Sequence, residues 1–292
     1  MAAGASVPRV WILAIVNEKG GSAKTTLVTN LGAYLALHTH RRVLAIDMDP
    51  QGQLGKALGL ETQCSARSSI ELLLDSVLGE RRPADAAPAG RRAQPDAPLP
   101  VSRSRIPGLD VIVANKALGL FPAWKGAGDR DPTGRLARAL EANGRLEPYD
   151  FVLFDAPPSF GPLTLNVLRA TEEVVVPVPL TYLAMDGCAE LLRTIATVRE
   201  RYAHPRLRVA MVVPTFYRRT NLAHEILERL KQRFPKQISH AVVGYHVRID
   251  EAQSRGLSIF EHAPRDRGAQ VMAELAEELA LRGEDVSGET PT

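Results

Sequence analysis

The chain has 292 residues, of which 45% are hydrophobic and 24% charged, and its formal net charge is +3. This composition is typical of a globular protein with an ample core. No apolar run approaches the roughly 18–20 residues that a membrane-spanning helix needs, and the first residues do not resemble a secretion signal. Two isolated cysteines, Cys64 and Cys188, exclude a disulfide framework and a C-x-x-C metal site, so we expect a cytoplasmic protein. The small net charge excludes strong bulk attraction to nucleic acid, although arginines gathered on one face would still bind phosphates.

Six short apolar runs are typical of strands that are buried on both faces of a parallel sheet. They are Val10–Val16, Val43–Ile46, Leu109–Val113, Phe151–Phe154, Val174–Val178 and Val209–Val213. Helical patterns alternate with these runs, over Thr26–Leu37, after a cap at Asp186, after Thr220 or Asn221, and over Ala269–Leu281. The alternation predicts an α/β fold with a doubly wound, mostly parallel sheet and helices on both faces, in a single domain over residues 1–282.

Residues 80–107 break the alternation, because they are rich in proline, alanine and arginine and contain few large apolar side chains. We expect a mobile surface insertion here. A second interpretation remains open, in which the arginines form a basic arm that contacts DNA or a partner. Residues 283–292 are expected to be a short disordered tail.

The stretch NEKGGSAKTT, residues 17–26, joins the first predicted strand to the first predicted helix. It nearly matches the phosphate-binding pattern G-x-x-x-x-G-K-[ST], and a strand–loop–helix context is what such a match requires. It departs from the pattern in three places. Glu18 occupies the first glycine position, Ala23 occupies the glycine position before the lysine, and Lys19 is an additional lysine.

The residue types of this loop favour phosphate binding. Gly20 and Gly21 permit a tight backbone path whose amides converge on anionic oxygens, and the following helix adds the positive end of its dipole. We expect Lys24 to reach the β- and γ-phosphates and the Thr25 hydroxyl to join Mg²⁺.

The same stretch resembles the deviant Walker A motif, K-G-G-x-x-K-[ST], of the ParA/MinD family of ATPases. Four later segments resemble family motifs in the expected order, namely VLAIDMDPQGQL, YDFVLFDAPPSFGPLTLNVL, VPVPLTYLAMDGCAELL and VRIDEAQSRGLSIFEHAPRDRGAQVMAELAEEL. The resemblance covers nearly the whole chain and fits the small ParA (Soj-like) partition proteins best. It implies a deviant phosphate-loop NTPase fold and slow ATP hydrolysis that uses Mg²⁺.

The resemblance also implies roles for individual residues. Lys19 takes the position of the signature lysine, which reaches the partner's phosphates across a nucleotide-sandwich homodimer, much as an arginine finger acts in trans. Asp49 corresponds to the residue that orients the attacking water, and Asp47 beside it supports the metal shell. Asp155 corresponds to the Walker B aspartate that holds Mg²⁺ through water, and it follows an apolar strand, where parallel sheets bind ligands. The implied catalytic residues are Lys19, Lys24 and Asp49, the nucleotide-binding residues are Lys19, Gly20, Gly21, Ser22, Ala23, Lys24, Thr25 and Thr26, and the metal-site residues are Thr25, Asp47 and Asp155.

Partners follow from the resemblance as well. ParA-like proteins bind nonspecific double-stranded DNA as ATP-bound dimers and respond to a ParB-like activator. Arg219 and Arg248 stand at positions that resemble the family's DNA-contacting arginines, and Arg218 is an adjacent candidate. We therefore expect a cytoplasmic, nucleoid-associated switch that positions a chromosome, a plasmid or other cargo. The acidic, polar C-terminal segment predicts no direct membrane binding.

Two features depart from the family pattern. Ala23 replaces a usual glycine, which would strain the backbone if this position requires a positive φ. On the adenine side the sequence VVGYHVRIDEA lacks the proline and arginine common in the family, so Tyr245 or His246 is a candidate for contacting the base.

Three alternatives remain to be compared with the partition ATPase. A MinD-like regulator of cell division would need a basic amphipathic C-terminal helix, and the chain has an acidic one. A reductase of the nitrogenase iron-protein type would need cluster-ligand cysteines, which two dispersed cysteines do not supply. A degenerate, non-hydrolysing scaffold for nucleotide or DNA is favoured by Ala23 alone.

Overall fold

The computed structural model describes residues 10–62, 68–78, 98–123, 131–141, 146–182 and 184–288. Cys64, residues 80–97 of the predicted insertion and residues 289–292 of the predicted tail lie outside these ranges.

In the described part of the chain, eight strands form one sheet in the order β3-β4-β2-β5-β1-β6-β7-β8. Neighbouring strands are parallel, except that β3 pairs antiparallel with β4 at one edge. The strands are β1 (Trp11–Ile15), β2 (Val43–Asp47), β3 (Ser102–Arg103), β4 (Leu109–Ile112), β5 (Phe151–Asp155), β6 (Glu173–Pro179), β7 (Arg208–Tyr217) and β8 (Val243–Gly244).

Helices cover both faces of the sheet. They are α1 (Lys24–His38), α2 (Gln53–Ala57), α3 (Ile70–Leu78), α4 (Arg135–Glu141), α5 (Pro162–Ala170), α6 (Ala184–Arg201), α7 (Asn221–Arg233), α8 (Val247–Ser254), α9 (Ile259–His262) and α10 (Arg267–Gly288). Two 3₁₀ segments, Lys116–Ala123 and Pro132–Gly134, lie between β4 and α4.

The central strands divide the apolar core into two layers. Successive side chains of β1 alternate, so that Leu13 and Ile15 pack in the layer beneath α1 and α10, while Ala14 and Val16 pack in the layer beneath α4 to α7. Both layers are fully buried, which explains why these strands are continuous apolar runs rather than alternating ones. The predicted doubly wound, mostly parallel α/β fold is confirmed.

The structure corrects three boundaries. Residues 102–103 belong to the sheet as β3 and Ile106 is buried, so the last part of the segment expected to be a mobile insertion, residues 80–107, packs on the domain. Asp186 lies inside α6, which begins at Ala184, and is therefore not its cap. α10 continues to Gly288, beyond the boundary at residue 282, so the first part of the expected tail is helical. Thr220 does cap α7, since its hydroxyl accepts a hydrogen bond from the Ala223 amide at 3.2 Å.

Candidate functional site

The candidate site lies where β1, β2 and β5 end side by side. β5 pairs with β2 on one side and with β1 on the other, and the register places Asp47 directly opposite Asp155. The glycine-rich loop follows β1 at this same edge, between its neighbours β5 and β6. The parallel topology thus gathers residues that are more than a hundred positions apart in the sequence.

The loop is held by an asparagine that the sequence analysis gave no role. Asn17 is buried, and its Nδ2 donates to the carbonyl of Pro177 in β6 over 2.5 Å. Its Oδ1 accepts a hydrogen bond from the Lys19 amide at 2.8 Å. Asn17 therefore ties the start of the loop to the neighbouring strand.

Two residues of the loop adopt left-handed backbone conformations. Gly21 has φ 67° and Ala23 has φ 74° with ψ 21°. Glycine reaches this region freely, whereas the Cβ of alanine is crowded there. Ala23 is also the N-cap residue of α1, and it contributes no side-chain hydrogen bond to the helix. The first amides of α1 are thus left for another acceptor, as at anion-binding helix N-termini.

Lys24 folds back over the loop. It is only 7% exposed, and its Nζ donates to the Lys19 carbonyl at 2.9 Å and to the Ser22 hydroxyl at 3.4 Å. Burial lowers the pKa of Lys24, while the nearby carboxylates of Asp155 and Asp49 act in the opposite direction. The ammonium is therefore placed inside the loop and beside the acidic group of the site.

The acidic group consists of two fully buried carboxylates. The Thr25 hydroxyl donates to Asp155 Oδ2 at 2.7 Å, and Asp47 accepts hydrogen bonds from the Asp49 amide at 3.0 Å and the Leu54 amide at 3.1 Å. Burial raises the pKa of Asp155 to about 7, and the pKa of Asp47 rises well above its usual range because of burial and then repulsion by Asp155. Two such carboxylates need a positive charge nearby.

This arrangement fits a magnesium ion. Asp155 Oδ1 is buried and has no hydrogen-bond partner among the described residues, although an isolated buried carboxylate oxygen is costly. The other oxygen of this carboxylate, Oδ2, accepts the hydrogen bond from the Thr25 hydroxyl. Hard oxygen donors of this kind suit Mg²⁺, which binds proteins through one or two side chains and completes its octahedron with water and phosphate oxygens.

The remaining loop and strand-end residues differ in their surroundings. Asp49 is partly exposed, and its Oδ1 accepts from the Gln51 amide at 2.9 Å. Thr26 points toward α8, where its hydroxyl contacts Gln253 Oε1 at 3.2 Å. Gly20 is exposed with open space around its Cα, and Lys19 is partly buried. Within the described parts of the chain, the Lys19 ammonium has no hydrogen-bond or ion-pair partner.

Comparison with known proteins decides the family. A family model described as AAA domain matches residues 10–209. The chromosome-partitioning ATPase Soj of Thermus thermophilus is 38% identical over 272 residues, which cover 92% of this chain and 95% of that protein. The chromosome partitioning protein ParA of Caulobacter vibrioides is 36% identical over 275 residues, which cover 94% of this chain and 95% of that protein. The chain belongs to the ParA family of ATPases.

A solved structure extends the comparison beyond ParA relatives. The crystal structure of cobyrinic acid a,c-diamide synthase from Mycobacterium smegmatis with bound ADP and magnesium has a TM-score of 0.73. It is 30% identical in sequence, and the match covers 97% of this chain and 99% of that chain. The ParA-family chain therefore shares its fold with a protein described as a synthase.

The candidate DNA arginines of the ParA-family chain lie on the surface that α8 and the end of β7 form. Arg218, Arg219 and Arg248 are all exposed. Arg218 stacks over the ring of Tyr245, with its guanidinium carbon 5.9 Å from the ring centroid, and Arg248 donates to Glu251 at 2.7 Å. In the described part of the chain, Arg219 has no side-chain partner. The three exposed arginines thus differ in their side-chain contacts.

Tyr245 lies with these arginines on the outer surface. It is 54% exposed, and its hydroxyl hydrogen-bonds to Asp250, which raises the pKa of Tyr245.

Thr215, to which the sequence analysis gave no role, is fully buried, and its hydroxyl donates to the Ser22 carbonyl at 3.4 Å. The next residue, Phe216, has φ 54° at a register shift between β7 and β8. The backbone is therefore irregular directly beside the loop.

Proposed function

We propose that the chain is an ATP-dependent switch that dimerises with ATP, binds DNA without sequence preference and positions cellular cargo together with a ParB-like activator. As a ParA-family member it is a phosphate-loop ATPase, and its cofactors are ATP and Mg²⁺, which agree with the ADP and magnesium bound to the similar synthase. The single observation that carries the switch is the partly buried Lys19, whose ammonium is unpartnered in the described part of the chain, on a loop whose other lysine is already engaged.

The two lysines support different tasks. Lys24 is buried and bonded to its own loop, so it is placed to contact phosphate oxygens bound by the same subunit. Among the residues that the structure describes, the Lys19 ammonium has no such contact, which leaves it to reach phosphates bound by a second copy of the chain. Preorganised cations of this kind stabilise the negative charge that develops during phosphoryl transfer.

The carboxylates complete the proposed chemistry. Asp155 and Thr25 would hold Mg²⁺, which when bound neutralises phosphate charge. We propose that Asp49, which is less buried than Asp47 and follows it by two residues, orients a water molecule at the γ-phosphate. As the resemblance to ParA-like switches implies, we expect slow turnover.

DNA binding would use the exposed arginines on the surface near α8. Neutralising DNA phosphates releases counterions, so affinity should fall steeply as salt rises. The test measures binding of the full chain to a short duplex with ATP, with ADP and without nucleotide. We expect binding with ATP only, and a large loss in the double variant Arg219→Ala/Arg248→Ala. Equal binding in all three nucleotide states, or normal binding by the double variant, would remove the DNA part of the proposal.

A second candidate function rests on Ala23. Its left-handed backbone strains the loop, which favours a non-hydrolysing scaffold that still binds nucleotide and DNA. Turnover separates the two candidates, because the switch releases phosphate when DNA and an activator are present and the scaffold does not. A MinD-like role would need a basic amphipathic C-terminal helix, and the sequence of α10 is acidic. Within the described residues, no helix is long and apolar enough to cross a membrane.

A further inference from the structure

Arg248 is held by a carboxylate of its own helix. Its Nη1 donates to Glu251 Oε2 at 2.7 Å, one turn further along α8. The side chain of Arg248 is 58% exposed and that of Glu251 is 35% exposed. This pair therefore faces solvent on the surface that we propose for DNA.

Glu251 has a second partner beneath the pair. His262, whose side chain is only 9% exposed, places its Nε2 3.3 Å from the same Oε2 atom. The other ring nitrogen, Nδ1, lies 3.4 Å from Nη1 of Arg255. A guanidinium only donates and a carboxylate only accepts, so these partners assign the proton to Nε2 and make Nδ1 the acceptor.

The histidine is fixed by the short helix α9. A capping box closes this helix, since the Ser258 hydroxyl accepts from the Glu261 amide and the Glu261 carboxylate accepts from the Ser258 amide at 2.9 Å. The Ile259 amide donates to Asn30 Oδ1 at 2.8 Å, which anchors α9 to α1. His262 in α9 therefore holds the Glu251 carboxylate independently of Arg248.

We propose that Glu251 competes with DNA phosphate for Arg248, holding the guanidinium in the free protein and yielding it when a phosphate replaces the carboxylate. This inference rests on the proposed DNA binding. His262 still donates a hydrogen bond to Glu251 after Arg248 has moved to a DNA phosphate, so the Glu251 carboxylate is not left without a partner. Arg248, followed by His262, lowers the pKa of Glu251, in agreement with an ionised competitor.

The expected effect follows from the strength of exposed ion pairs. Double-mutant cycles give about 0.2–1 kcal/mol for such pairs, which corresponds to a change of roughly 1.4- to 5-fold in an equilibrium constant. Removing the carboxylate should therefore tighten DNA binding by about that factor for each Arg248 that contacts DNA. Removing any negative charge also strengthens binding to a polyanion, so the specific part must be separated from this general part.

The experiment is a double-mutant cycle in the full chain with ATP and a short duplex. It compares the Kd of the wild type, Glu251→Gln, Arg248→Gln and the double variant. Glutamine keeps the length of the side chain and can still accept from His262. The charge control is Glu172→Gln, because Glu172 pairs with Arg206 at 3.2 Å beside the amino ends of β6 and β7, at the far end of the parallel strands.

We expect Glu251→Gln to tighten binding by roughly 1.4- to 5-fold beyond the charge control, and to lose this gain when Arg248 is already glutamine. An equal gain in both backgrounds, or no gain beyond Glu172→Gln, overturns the inference while leaving DNA binding intact. A wild type that does not bind duplex, or an Arg248→Gln variant with unchanged affinity, removes the proposed interface as well. If Glu251→Gln lowers the Tm, the cycle is repeated with Glu251→Ala. A gain in DNA affinity that varies with the Tm of the variants, and not with the presence of Arg248, also overturns the inference.

Discussion

Ala23 combines a nucleotide-loop position with a backbone conformation that disfavours its side chain. With φ at 74°, a Cβ costs roughly 1 kcal/mol relative to glycine. We predict that Ala23→Gly raises the free energy of unfolding by up to about 1 kcal/mol, since the greater flexibility of glycine in the unfolded chain offsets part of the gain. Urea unfolding of both proteins measures this difference, and nucleotide affinity should rise with it.

The control for this prediction is an alanine in ordinary helical backbone. Ala196 lies exposed within α6, where glycine is less favourable than alanine by about 1 kcal/mol. Ala196→Gly should therefore destabilise the protein while Ala23→Gly stabilises it. A loss of stability in both variants would show that the loop accommodates the methyl group without strain.

We expect the carboxyl group of Asp155, proposed as a metal ligand, to destabilise the folded protein when no ligand is bound. Its carboxyl is fully buried, its Oδ1 has no hydrogen-bond partner in the described ranges, and the carboxylates of Asp47 and Asp49 lie nearby. We predict that Asp155→Asn raises the free energy of unfolding without ligands by about 0.5–2 kcal/mol. Thermal unfolding should also show that Mg²⁺ with ADP raises the Tm of the wild type and not that of the variant. An equal rise in both proteins would exclude Asp155 from the metal site.

At the scale of elements, α10 packs on β1 through a glycine. A Cβ built on Gly283 would collide with the Trp11 ring at Cζ3. Trp11 cannot easily retreat, because its Nε1 donates to Glu173 at 3.0 Å and its ring packs on Phe151. We predict that Gly283→Ala lowers the free energy of unfolding by about 1–3 kcal/mol, although alanine favours helices.

A second helical glycine provides the matched comparison. Among the described residues, no atom lies within 4 Å of a Cβ built on Gly187 in α6, so Gly187→Ala is expected to be neutral or to stabilise by up to about 1 kcal/mol. Chemical denaturation of both variants tests the pair. Similar effects from the two substitutions would show that α10 shifts freely over Trp11.

The central elements could be predicted from sequence because burial on both faces leaves a local pattern. Strands β1, β2 and β5 are continuous apolar runs, and each is found close to its predicted bounds. The two-residue strands β3 and β8 carry no such pattern, since they are defined by pairing with β4 and β7. Short edge strands of this kind become visible only when their neighbours are in place.

In the candidate site, too, residues that belong to a local sequence motif could be predicted, whereas residues whose partners are distant in sequence could not. The loop motif predicted roles for Lys24 and Thr25, and the strand-end rule predicted one for Asp155. Asn17 was missed because its partner, the Pro177 carbonyl, is 160 residues away and becomes a neighbour only through the pairing of β1 with β6. The sign of φ at Ala23 could not be predicted either, because the path of the whole loop determines it.

At the scale of the whole molecule, the central claim is that one subunit completes the nucleotide site of another through Lys19. The substitution Lys19→Ala removes a side chain that has no partner in the described part of the chain, so folding and nucleotide binding should survive. The control is Lys236→Ala, which removes an exposed lysine from the turn after α7.

Light scattering of each protein with and without ATP and Mg²⁺ measures the molar mass directly. The account predicts that the wild type and Lys236→Ala double in mass when ATP is added, whereas Lys19→Ala binds ATP and remains a monomer. A Lys19→Ala protein that dimerises with ATP as the wild type does would contradict the account.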